Sequence, residues 1–195
     1  MHMKSYDRLL LYTPTFAGIT AFLYAYFFVV AKNTLMSSVF LLLLGVAALK
    51  VVVLLYGKLK HVDENLARVA FVFGVFGAVG MALHGGYDLA NTLNPPASLP
   101  VDVPNQVDPR GLLSFGFFGL GVLKLSWLMS KEKLFPSGLA TLGYVYGTLL
   151  LVIYLARLTV LSPTNPVLLY PVLLNGFIVG PVWFVWLGSR LLQKS

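Results

Sequence analysis

The sequence predicts an all-α integral membrane protein: a polytopic bundle of six transmembrane helices with N- and C-termini in the cytoplasm. Three observations lead there. Hydrophobic residues make up 58% of the 195 and charged residues only 11%, where a soluble domain carries about 25% charged. Mean hydropathy is +0.83. The apolar residues gather into runs near 12–31, 35–56, 67–91, 111–130, 138–160 and 167–190, each long enough for the roughly 20 helical residues that cross a bilayer. The length suits one domain, 1–195, with no second unit. Helices are the physical choice, because each satisfies its own backbone hydrogen bonds in lipid. A barrel would need short alternating strands, and LLLLGVAALKVVVLLY does not alternate.

Lys4 and Arg8 precede the first run. Together with Val29-Val30-Ala31 they resemble a signal peptide with its cleavage site. The run from Pro14 to Ala31 is longer than a usual signal core, so it is expected to stay as a true helix. Cleavage would leave five helices and put the new N-terminus outside. Lys32-Asn33-Thr34 then joins the first two helices in a tight hairpin. Lys50 in the second and Lys124 in the fourth lie about 9 Å from a cytoplasmic helix end by the helical rise, within snorkelling range.

The third run ends in HGGYDLANTLNPP, where ionisable groups follow an uncharged stretch. The connection that follows, 92–110, contains LNPPASLPVDVPNQVDPR with five prolines and two aspartates. Prolines fix the backbone and remove donors, so an extended outer lid or spacer without regular structure is expected. The fourth and fifth runs are joined by KEKLFPSG, the fifth and sixth through SPTNP. The sixth holds Pro171 and Pro181, each of which favours a kink. Small residues recur at four-residue spacing, as in Ala17, Ala21 and Ala25, Gly143 and Gly147, Gly176 and Gly180. Such stripes permit close helix packing in lipid and carry no function of their own. They also leave open a homo-oligomer or a membrane-protein partner.

Charge sets the orientation. Lys4, Arg8, Lys58, Lys60, Arg68, Lys131, Lys133, Arg190 and Lys194 fall on one side, and only Lys32 and Arg110 on the other. The positive-inside rule makes the first side cytoplasmic, and the plasma (inner) membrane is the expected location. The net charge of +7 is thus a matter of topology and the lipid bilayer, not of nucleic acid.

Ionisable residues inside a membrane usually pair or face a cavity. His84, Asp88 and Asn91 share one face of the third helix at 3.6 residues per turn, and Gly77 and Gly80 continue that face. By the helical rise, His84 lies about 15 Å and Asp88 about 9 Å below the outer end near Asn94. Arg157, late in the fifth helix, and Asn175, in the sixth, reach comparable depth. These residues form a polar layer in the outer half. Asp88 is expected to pair with Arg157 directly or through water, which would keep it ionised. His84 would titrate against it. Asn175 would either repair backbone groups freed by the prolines or orient a ligand. Gly85-Gly86 would either break the helix, as transporters do, or allow close contact with a bulky neighbour such as Trp183 or Trp186.

No zinc, nucleotide-binding or nucleophile-elbow motif is present. There is no cysteine, which removes disulfides and thiolate chemistry. With His2 and His61 in cytoplasmic segments, a bis-histidine haem is not expected. No cofactor, metal ligand or catalytic residue is assigned. Three functions then rank in order. The first is a transporter or sensor binding a small molecule or ion, with Arg157 holding an anionic group or Asp88. The second is a non-catalytic accessory or assembly subunit of a membrane complex. The third is a membrane enzyme using an Asp/His pair, placed last because no nucleophile accompanies it.

Overall fold

The structure is a computed structural model describing residues 5–96, 105–160, 162 and 164–193. Every described element is helical. Six helices are long and apolar enough to cross a membrane: α1 (Tyr12–Val30), α2 (Thr34–Leu59), α3 (Glu64–Leu93), α4 (Pro109–Lys131), α5 (Ser137–Thr159) and α6 (Pro166–Gln193). Their ends fall within three residues of those read from hydropathy. This length and composition suggest an integral membrane protein.

Local chemistry sets the helix starts. Asn33 accepts from Met36 N at the head of α2, Asp63 from Leu66 N at α3, and Asn165 from Val167 N at α6. Each side chain satisfies one of the backbone donors that a helix leaves free at its first turn. All connections but the one between α3 and α4 are short, chain neighbours pack side by side, and α6 returns to α1.

Small residues let the helices pack tightly, as expected where apolar burial gives helices in lipid little drive to associate. Gly45 lies against the backbone of Ala78 and Ala82, and Gly85 against that of Ser38 and Leu41-Leu42. A methyl group at either position would collide with main chain, so α2 and α3 depend on both glycines. Helix α3 runs unbroken through Gly85-Gly86. The broken-helix expectation is therefore overturned, and the bulky neighbour proves to be the α2 backbone instead of a tryptophan. Gly86 has open space around it.

Trp183, Phe184, Tyr146 and Phe118 form a buried aromatic cluster in the middle of the bundle. Towards the end where α3 stops and α4 starts, three helices loosen into π-helical turns: Tyr26–Val30 in α1, Leu112–Phe117 in α4 and Asn175–Val179 in α6. The last lies just before Pro181, which has no N–H to give, and Gly180 N reaches back five residues to Asn175 O.

Candidate functional site: a polar layer beside a six-helix cavity

The chain between α3 and α4 does not stay outside the bundle. Asn105 is 3% exposed and Asp108 is fully buried. The left-handed backbone of Arg110 (φ 60°) and Gly111 (φ 75°) turns the chain sharply into α4. That turn brings Leu113 N (2.8 Å), Ser114 N (3.1 Å) and the Ser114 hydroxyl (2.5 Å) onto the Asp108 carboxylate. Asn105 Oδ1 accepts from Val107 N and Asp108 N. Its amide nitrogen donates to Asp88 Oδ1 at 2.9 Å and points towards His84 O at 3.4 Å. The tail of the expected lid thus plugs into the bundle through Asn105 and Asp108, while Gln106 and Val107 stay exposed. Residues 97–104 of that lid lie outside the described residues.

His84 sits between two carboxylates. Its Nε2 is 3.4 Å from Asp88 Oδ2 and its Nδ1 is 3.5 Å from Asp108 Oδ2. A doubly protonated ring can donate to both, a neutral ring to one only. Burial pushes the Asp108 carboxyl up, but the nearby His84 ring and hydrogen bonds from Ser114 and the Leu113 and Ser114 amides outweigh it and hold the group below the usual aspartate range.

His84 also borders a cavity of about 90 Å³ that all six helices wall, room for about three waters at ~30 Å³ each. Its polar wall includes Tyr24 (α1), His84 (α3), Ser114 (α4), Tyr146 and Arg157 (α5) and Asn175 (α6). All three π-helical turns contribute to it, through Phe28, Ser114 and Asn175 among others. Such turns are frequent at functional sites.

Of the sequence-derived candidates, His84, Arg157 and Asn175 meet at this cavity, and Asp88 stands behind His84. Asn91, one turn above Asp88, is half-buried and outside the cavity wall. The direct Asp88–Arg157 pair is not made. Asp88 is held by Asn105 and His84, whereas the Arg157 guanidinium lies 5.5 Å over the Phe115 ring. The buried Oδ1 of Asn175 has no hydrogen-bond partner. His84 Nδ1 is likewise without a close one.

Sequence reasoning missed Asn105, Asp108, Ser114 and Tyr24. Asp108 had a signal, because Asp before Pro at the start of an apolar run marks a helix start, whereas Asn105 and Ser114 had none. Tyr24 had none beyond its position in an apolar helix. No protein-family model matches the chain, nor does any curated protein or solved structure.

Proposed function

We propose that this is a multi-pass membrane protein that binds a small molecule or ion between its helices, in the manner of a transporter or a sensor. One observation carries the reading. Arg157 borders a cavity walled by all six helices, and among the described residues it has a ring contact with Phe115 but no carboxylate partner. A charge so placed costs free energy unless something offsets it, and a cation–π contact offsets about 0.5–2 kcal/mol. A bound group in the cavity would supply the rest. Asn175, with its free oxygen in the same wall, would orient that group, and His84 would hold the wall against the Asn105–Asp108 plug.

The distribution of basic residues supports cytoplasmic termini, with the cavity in the outer half of the plasma membrane. The enzyme reading gains little. The Ser114 hydroxyl, in the same cavity wall as His84, donates to Asp108.

Native mass spectrometry of the gently solubilised protein, beside Arg157→Gln and Asp88→Asn, tests the proposal. Wild type should carry a small molecule or ion that Arg157→Gln loses. Asp88→Asn, behind His84, should keep it. A wild type that carries nothing would sink the reading and leave an accessory subunit as the better one. Because the chain has no cysteine, Lys60→Cys and Arg110→Cys report orientation cleanly. An impermeant thiol reagent added to intact cells should label only the second.

A further inference from the structure

We infer that the ligand is a small monoanion: a halide, or an oxyanion of up to about four heavy atoms, sized by a cavity of about three waters. The inference rests on the cavity being a ligand site and adds its chemical class. Charge is the first argument. The wall holds one guanidinium and no carboxylate. Asp88 and Asp108 are close to His84 but are not in the wall, and Asn105, Ser114 and the α4 amides already occupy them. The carboxylates of this layer thus have hydrogen-bond partners on their own side, whereas Arg157 has no ion pair among the described residues.

The donors are the second argument. Arginine offers five N–H groups and no acceptor. Tyr24, Tyr146 and Asn175 also line this space; the tyrosine hydroxyls can donate, and so can the Asn175 amide once turned, since it is its Oδ1 that stands without a partner. A site rich in donors, with apolar walls from Leu41, Leu44, Met81 and Leu150, suits an anion that accepts several hydrogen bonds at once. A cation would meet the Arg157 charge with no carboxylate in the wall to offset it. Size is the third argument. About 90 Å³ admits formate, acetate, nitrate or bromide and excludes citrate. A dianion such as sulfate would bring one charge more than Arg157 matches.

The test uses the full chain in detergent, at constant ionic strength with sodium gluconate as the bulky background salt. Sodium formate, acetate, nitrate, bromide, sulfate and citrate are titrated. Thermal unfolding and tryptophan fluorescence are read, since Trp183 packs against Tyr146 of the cavity wall with ring centroids 5.5 Å apart. The small monoanions should give a saturable response, weakened about tenfold or more in Arg157→Gln, as for loss of a charged hydrogen bond. Asn175→Asp, which places a carboxylate in the wall to pair with Arg157, should abolish the response. If Arg157→Gln does not fold, Asn175→Asp decides. An equal response to sulfate or citrate would overturn the monoanion class. So would a response that persists in both folded variants, since the anion would then bind elsewhere. A cation or neutral molecule retained by wild type and lost from Arg157→Gln would overturn the class and leave the cavity reading standing. No response to any anion, with nothing bound in native mass spectrometry, would sink both.

Discussion

Histidine meets carboxylate at both ends of this bundle, under opposite conditions. At one end His61 and Glu132 join the loops after α2 and α4 at 2.6 Å, with side chains 64% and 21% exposed. At the other, His84 lies between Asp88 and Asp108 at 3.4 and 3.5 Å, and its side chain is 11% exposed. The shorter contact should matter less. Water competes for His61 and Glu132, and exposed pairs stabilise by about 0–1 kcal/mol. Asp108 has no water to fall back on. Its oxygens also serve two backbone amides and a hydroxyl, so removing the carboxylate strands several buried donors together. Desolvation and shared partners set the energetic weight here, not distance.

The largest test of that difference is Asp108→Ala. Breaking a buried charged network by deleting one partner costs about 3–5 kcal/mol, and the same change removes the anchor of α4. Unfolding in detergent, by heat or by added denaturing surfactant, should show a loss of that order. Asp108→Asn, which keeps an acceptor, should lose less. Next in size is His84→Ala, at about 1–3 kcal/mol for leaving charged partners unmatched. The pair should be less than additive, because both changes disrupt one network. Full additivity would mean that His84 and Asp108 act independently despite their contact.

The same contrast explains what could be read from the sequence. The six helices were legible because long uncharged runs have few alternatives in a bilayer. The level of His84, Arg157 and Asn175 was legible too, since helical rise converts chain position to depth. Partners were not. Asp88 was expected to reach Arg157 because it is the one acidic residue within an apolar run, yet an asparagine from a proline-rich connection reaches it first. Depth says nothing about lateral placement, and a connection that folds back into the bundle leaves no periodic trace. The glycines make the same point on a smaller scale. Gly85 and Gly86 are identical in sequence terms, but one lies against main chain and the other faces open space.

Acid should separate the two ends further. The Asp108 carboxyl is held below the usual aspartate range: burial raises it, but the nearby His84 ring and the hydrogen bonds from Ser114 and the α4 amides more than offset this. The folded protein therefore binds that proton less readily than the unfolded chain. The stabilisation is complete above the ordinary aspartate value of about 4 and is lost as pH falls through the lower folded value. Unfolding temperature measured across that acid range should fall steeply for wild type and less steeply for Asp108→Asn. Parallel profiles would place the acid sensitivity elsewhere.

The smallest expected effect is at the other end. Glu132 is also held below its usual range, by the Leu134 amide and then by His61, so its contribution has the same sign as that of Asp108 and fades in the same direction of pH. Its solvent exposure caps the magnitude. Glu132→Gln and His61→Ala should each cost no more than about 1 kcal/mol, and salt should shrink even that, since screening acts over about 8 Å at physiological ionic strength. The acid profile of Glu132→Gln should be nearly that of wild type. A cost for Glu132→Gln equal to that of Asp108→Asn would invert the comparison. The short exposed contact would then be holding the two loops in register, and the buried histidine would be secondary to the helix start it touches.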